Sequence, residues 1–315
     1  MSMRCPRCGN APPRDSYVCT FCGKRLRIER IEKFLFFKRY EAEWSNPESF
    51  LARLYLLIIN PAKAFWDINH KRDSAPGFFI ILFNSLIYGL FGLALFSHFQ
   101  IIDINGTPVN PYDVTILFGY FFTVYLAFFA FGFVYYMLLL VVLSYFFIKG
   151  ANYSIGFTER LEDRFGKKKD RDEKERAKLA EEASVFSIYK SGTLLQKQEA
   201  NKYNMLFCAF TPLIITGLIK VLIILIALPT QQISLPFNFS FYSTVFDTIF
   251  QSPTWMALDI IDAIVLIVWI PMNMTIAIRE LANSSTFRVY LSSVSIGIIT
   301  AIIFFLLKPT ILGTL

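Results

Sequence analysis

The sequence predicts an all-α integral membrane protein, with five transmembrane helices following a small cysteine-rich N-terminal module and a juxtamembrane stretch of amphipathic helices. Three observations carry that prediction. Apolar residues gather into five long runs, basic residues are confined to alternate connections between those runs, and two CxxC pairs lie within the first 22 residues.

Of the 315 residues, 55% are hydrophobic, 17% aromatic and 17% charged, where a soluble domain carries about 25% charged residues. The runs 78–99, 115–148, 205–228, 255–278 and 289–307 together hold 123 residues and three charges: Lys220, Asp259 and Asp262. The other 192 residues hold 52 charges, about 27%, the density of ordinary soluble protein. Two compositions are therefore averaged in one chain, which excludes a disordered, fibrous or simple globular protein. Histidine occurs only at His70 and His98, so most histidine-based catalysis is excluded as well. The polar, cysteine-rich opening is unlike a cleavable signal sequence, and the first span is expected to act as its own insertion signal.

A helix needs about 20 apolar residues to cross the hydrocarbon core. Four runs suit one crossing each, whereas 115–148 would be about 51 Å long as a helix against a core of about 30 Å. It is either one long tilted helix or two spans. Cytoplasmic connections are enriched in Lys and Arg, and this decides the matter. With a single span there, segments 1–77, 149–204 and 279–288 share one side and hold 29 of the 31 basic residues, while the opposite side holds one. The expected topology is five spans, at about 78–99, 115–148, 205–228, 255–278 and 288–308. The N-terminus is then cytoplasmic and the C-terminus on the far side. The expected domains are a ribbon over 1–28, an amphipathic juxtamembrane segment over 29–77, and a membrane domain over 78–315 with a charged cytoplasmic loop at 149–204. Within that loop, Thr158–Ala183 has mixed charge and suits a solvated helix or a linker.

Three Asn-Pro pairs, Asn46-Pro47, Asn60-Pro61 and Asn110-Pro111, suit an N-cap followed by proline at the first helical position. The first predicts a helix from Pro47 to about Ile59 with Phe50, Leu51, Leu54, Tyr55 and Ile58 on one face. The second places Phe65 and Trp66 beside Lys63 and Asp67. Both helices are too short to span. They are expected to lie on the inner membrane surface with Trp66 at headgroup depth and Lys63, Lys71 and Arg72 facing anionic lipid. The alternative is that they pack beneath the helix bundle.

The strongest chemical signal is Cys5-Pro-Arg-Cys8-Gly followed by Cys19-Thr-Phe-Cys22-Gly. Two such pairs at close range supply four thiolates in tetrahedral array, with glycines allowing the tight turns around a metal. This resembles the short zinc ribbons found at the ends of many prokaryotic proteins. A module of this size cannot fold on its apolar surface, so a structural Zn2+ would supply its folding free energy. Iron is the alternative metal, and disulfides are disfavoured on a reducing face. Arg4, Arg7, Arg14, Lys24, Arg25 and Arg27 offer a basic surface whose expected partners are membrane lipids or a cytoplasmic protein, with no nucleic acid.

Inside the spans, Lys220 is placed to pair with Asp262 or Asp259. The functional reading is a proton or ion route and the plainer one is fixed helix register. Ser293, Gly297 and Ala301 form a small-residue ridge suited to close helix packing within the bundle or, alternatively, to a homo-oligomer. Cys208 reads as a small core residue. Asn105-Gly-Thr and Asn238-Phe-Ser are candidate glycosylation triplets in outer loops.

The segments Asn60-Pro-Ala-Lys-Ala-Phe-Trp-Asp-Ile, Phe210-Thr-Pro-Leu and Val268-Trp-Ile, followed by Ile278 and Leu281, fall in an order that resembles the Yip family of five-span membrane proteins. The resemblance covers about residues 50–312. It implies a cytoplasmic N-terminus, a short far-side tail and a role in organising trafficking membranes, with small Rab-type GTPases as partners of eukaryotic members. The ribbon and the charged insert make the chain look prokaryotic, with an archaeal source among the readings. The expected function is a non-enzymatic membrane scaffold or adaptor that recruits a cytoplasmic partner, with a small-solute or ion transporter using Lys220, Asp259 and Asp262 as the rival. No H-E-x-x-H, G-x-S-x-G or nucleotide-binding glycine loop marks an enzyme.

Overall fold

A computed structural model describes residues 4–11, 16–19, 22, 24–40, 48–70, 75–102, 114–165, 203–234 and 248–312. Among them, two 3-10 turns, Arg30–Lys33 and Leu35–Phe37, precede the longer elements. These are α1 (Phe50–Ile59), α2 (Pro61–His70), α3 (Gly77–Phe96), β1 (Phe99–Ile102) and α4 (Val114–Phe165), then α5 (Tyr203–Ala227), β2 (Gln231–Ser234), α6 (Pro253–Ala282) and α7 (Thr286–Leu312). Helices α3 to α7 are the five long and apolar enough to cross a membrane, so the chain is a multi-pass membrane protein by length and composition. The 115–148 run lies in α4, one unbroken helix of 52 residues. That helix carries on through Thr158 to Phe165; the rest of the Thr158–Ala183 stretch lies outside the described residues, as do Asn105 and Asn238.

The described fold divides into two units. One draws on Phe78–Val142, Ala209–Pro271 and Val294–Leu315. In it, α3 and α4 interlock by setting aromatic rings of one helix against glycines of the other. A Cβ added at Gly89 or Gly92 would meet the rings of Tyr125 or Phe128, and one at Gly132 would meet the ring of Tyr88. Tyr88 in turn lies against Phe91, Phe128, Phe131, Tyr135 and Tyr136. The high aromatic content is thus spent on helix contacts, while Phe131, Leu138, Ile226 and Phe305 stay exposed, as lipid-facing residues do.

The fold is all-helical in class, with one short strand pair beside the helices. β1 and β2 form a two-stranded parallel sheet with Phe99 opposite Gln231 and Ile102 opposite Ser234. Each strand leaves the end of a membrane-length helix, and segments leaving α3 and α5 run in parallel when a single crossing, α4, separates those helices. The strand pair therefore agrees with one span at 115–148. The ladder also satisfies backbone groups that a bare exit from a span would leave open.

α6 contains Pro271, which has no N–H to donate and crowds the carbonyl four residues earlier. The helix widens just before it into a π turn at Val265–Trp269, a common response to an interrupted ladder. On α7, a Cβ added to Gly297 would lie 2.5 Å from the Leu266 carbonyl oxygen and 2.8 Å from the Pro271 ring. Of the proposed small-residue ridge, Gly297 therefore serves packing within the bundle.

The other unit gathers Met1–Gly77, Leu143–Cys208 and Met272–Ser293. α2 begins at Pro61 with the Asn60 side chain accepting from the Lys63 N–H, as its Asn-Pro pair predicts. α1 instead begins at Phe50 with Ser49 as its cap. Serine also caps α6, where Ser252 accepts from the Trp255 N–H ahead of Pro253. Asn46 and Asn110 lie outside the described residues.

The expectation that both short helices rest on the membrane surface is corrected for α2. Ala62, Ala64, Phe65, Trp66, Asp67 and Ile68 are all buried, so Trp66 is packed against protein and is not an exposed anchor facing lipid headgroups. α1 is inverted: Arg53, its only charged residue, is buried, and its apolar stripe faces outward. Arg53 turns inward because Asp67 of α2 accepts from its Nε at 2.7 Å.

Gly297→Ala is expected to cost about 1–3 kcal/mol, the usual penalty of overpacking, read as a lower thermal midpoint in detergent. Gly119→Ala, where an added Cβ meets nothing within 4 Å, is expected to leave that midpoint unchanged or slightly raised.

Candidate metal centre and its buried charged support

The two cysteine pairs begin with matching backbone hydrogen bonds. The Cys5 N–H donates to the Asn10 carbonyl and the Cys19 N–H to the Lys24 carbonyl, each at 2.8 Å and each spanning the same number of residues. Gly9 follows Cys8 at φ +73°, a conformation glycine adopts without strain, and its N–H donates to the Cys5 carbonyl. All four sulfurs lie within 4.8 Å of one another and could hold a metal ion. Cys5 and Cys22 are 3.5 Å apart, and Cys8 and Cys19 3.7 Å. A tetrahedral zinc tetrathiolate with 2.3 Å bonds has edges of about 3.8 Å, so the arrangement needs little adjustment to close on a metal. The cysteines are free thiols. Backbone N–H donation from Cys8 brings the Cys5 thiol down to about 6, while burial and the hydrogen bonds among the sulfurs push Cys22 up to about 12, so ligation of all four sulfurs would require Cys22 to give up its proton.

The centre is built onto the turn between α6 and α7. Val18, next to Cys19, pairs both of its backbone groups with the Asn283 side chain: its N–H donates to Oδ1 at 2.9 Å and its carbonyl accepts from Nδ2 at 2.8 Å. Asn283 sits at φ 48°, the left-handed position that ends many helices and that asparagine tolerates better than most residues. Val18 also bridges to Arg25 across the hairpin that carries Cys19 and Cys22.

Beneath the hairpin is a buried charged cluster. The Glu32 carboxylate accepts from Arg25 Nη2 at 2.9 Å, Arg39 Nε at 2.6 Å and the Thr286 hydroxyl at 2.8 Å. Arg39 Nη2 donates to the Ser284 carbonyl, and Arg279 donates to the Phe37 and Lys38 carbonyls while pairing with Glu280. The Glu29 carboxylate accepts from the Phe287 N–H at 3.0 Å, capping the first turn of α7. Tyr17 carries the Arg39 guanidinium over its ring, 5.1 Å from the centroid. Burial alone would raise the Glu32 carboxyl, but the Arg39 charge and the hydrogen bonds from Arg25, Thr286 and Arg39 outweigh it and hold the group below its ordinary value of 4.5.

Cys5, Cys8, Cys19 and Cys22 thus come together as the spacing predicts. Sequence reasoning missed Glu32, Arg39, Arg279 and Asn283. The available signal was the placement of 1–77 and 279–288 on one side, which made their contact permissible without naming the residues. Direct contact also requires an even number of crossings between them, in agreement with one span at 115–148. In the other unit, Lys220 pairs with Asp262 through both carboxylate oxygens, at 2.8 and 3.1 Å. Cys208 is buried with its thiol directed to the Asn204 carbonyl.

Two expectations follow. Asn283→Gly keeps the left-handed backbone but loses the pair with Val18, whereas Asn283→Ala loses both; melting should rank wild type above Gly and Gly above Ala, with losses of about 1–3 kcal/mol. Because the Glu32 value is lowered in the folded chain, its contribution is present above the ordinary carboxylate value and is lost as pH falls through the lowered one. Protection of amides 284–290, taken relative to the intrinsic exchange rate at each pH, should therefore hold from neutrality down to about pH 4–5 and fall below that, while Glu32→Gln should remove this acid step. The chain matches no known family model, no curated protein and no solved structure, so the centre is interpreted from its own residues.

Proposed function

We propose that this chain is a non-enzymatic membrane scaffold of the Yip type, with the N-terminus cytoplasmic and a structural Zn2+ held by Cys5, Cys8, Cys19 and Cys22. The observation that carries the reading is the attachment of a closed four-thiolate centre to the turn between two membrane-length helices. Four protein sulfurs leave a tetrahedral ion no open position, which suits structure and not catalysis. A tetrahedral four-thiolate set suits zinc or iron alike, and zinc is preferred here on the resemblance of the two CxxC-Gly pairs to short zinc ribbons. The metal's contribution would be folding free energy for the hairpin that presents Val18 and Arg25 to Asn283 and Glu32.

The basic excess of segments 1–77, 149–204 and 279–288 supports the cytoplasmic placement. In that orientation the zinc module, stiffly mounted at the membrane face, is the surface that recruits a cytoplasmic protein, a small GTPase being the candidate the Yip resemblance suggests. Lys220 and Asp262 neutralise one another, which supports fixed register between α5 and α6 over a transport route.

The purified full-length protein is expected to contain one equivalent of zinc, lost on Cys5→Ser or Cys22→Ser. The same variants should raise hydrogen exchange at 284–290, far away in sequence. Crosslinking in native membranes should give a cytoplasmic partner that depends on the four cysteines. Absence of zinc would overturn the metal assignment, and crosslinks unchanged in the cysteine variants would overturn the recruiting role.

A further inference from the structure

We infer that α1 is a monotopic lipid-binding helix, inserted in the bilayer surface through Leu51, Tyr55, Ile58 and Ile59, while α2 is its protein-buried support. This goes beyond the scaffold reading and rests on neither the zinc nor the partner.

The argument begins with the helix's own sequence, Phe-Leu-Ala-Arg-Leu-Tyr-Leu-Leu-Ile-Ile. A ten-residue surface helix on a water-facing domain buries its apolar stripe and exposes its charge. α1 does the reverse. Leu51 is 75% exposed, Tyr55 63% and Ile59 60%, with Ile58 exposed between them, whereas Arg53 and Leu57 are buried. Positions 51, 55, 58 and 59 follow the four-and-three spacing of one helical stripe. No charged residue interrupts it, because the Arg53 guanidinium is held inward by Asp67.

The location specifies what covers the stripe. α2, on which α1 packs, donates from the Asn69 side chain to the Glu280 carbonyl at 2.8 Å, near the end of the membrane-length helix α6. α3, another membrane-length helix, begins at Gly77, seven residues after α2 ends at His70, a reach of at most about 25 Å. α1 therefore lies about one helix diameter, roughly 10–12 Å, from a support tied to the end of one span and closely tethered to the start of another. At that depth an uncharged stripe of Leu, Tyr and Ile meets the boundary between headgroups and acyl chains, the usual seat of interfacial helices.

The test places a photoreactive benzoylphenylalanine at Leu51 or Tyr55 of the full-length protein. It is reconstituted in vesicles of phosphatidylcholine and phosphatidylglycerol and irradiated, and intact masses are compared with those of a variant carrying the probe at the exposed Arg30. The expected result is a phospholipid adduct at 51 and 55 at least fivefold above that at 30. As a second measurement that needs no bulky probe, Tyr55→Trp fluorescence above the parent's should be quenched by brominated lipid. Crosslinked dimers in place of lipid adducts would show that a second copy covers the stripe and overturn the inference. Adduct levels equal to those at 30, with no added quenching, would overturn it as well.

Discussion

A buried carboxylate needs compensating charge and hydrogen bonds, and the docking of the N-terminal segment on the start of α7 is arranged around that requirement at Glu32. Left alone, a charge out of water would neutralise or pull the surrounding chain open. Here Arg25 arrives from the metal hairpin, Arg39 from the chain beyond the 3-10 turns and Thr286 from the start of α7. Three separate stretches are thereby brought to one atom group. Such a network contributes less to net stability than its short distances suggest, because each charge has been desolvated. Its effect is on uniqueness: a shifted alignment of the N-terminal segment leaves a guanidinium or a carboxylate unmatched, so few alternative dockings compete.

The same logic of matched irregularities recurs among the long helices. Between α3 and α4 a ring on one side meets a missing side chain on the other. Between α6 and α7 a proline widens one helix and Gly297 lets the neighbour follow the bulge. In a lipid environment, where burial of apolar surface gives helices little reason to associate, close steric fit is the main source of cohesion. Glycine and proline, costly in soluble helices, act here as the points at which the spans recognise one another.

How much of this was legible in the sequence depends on the range of the interaction. The five spans were legible because hydrophobic runs and basic connections report on the solvent each residue meets. The four thiols were legible because metal geometry dictates short spacings. Asn283 was not, because a polar residue in a short turn is ordinary, and only contact with Val18 makes it specific. Trp66 misled for a related reason: an aromatic beside a lysine before a span has the composition of an interfacial anchor, and burial by neighbouring chain carries no local signature. The inversion of α1 was hidden in the same way, since the pairing that turns Arg53 inward joins two helices. The strand pair escaped because each partner is only four residues long and becomes a strand by meeting the other.

The link between Val18 and Asn283 also has a temporal meaning. Its partners are separated by 265 residues in a chain of 315. At a synthesis rate of roughly 5–20 residues per second, the first residue waits on the order of 13–50 seconds for the second to be made. Throughout that interval Glu32 and Arg39 are without Thr286 and Ser284, and four of the five spans must enter the bilayer before the contact can form. The N-terminal module is thus among the first parts translated and the last secured. Its docking thus requires that the four preceding spans have been made, with the fifth still to follow.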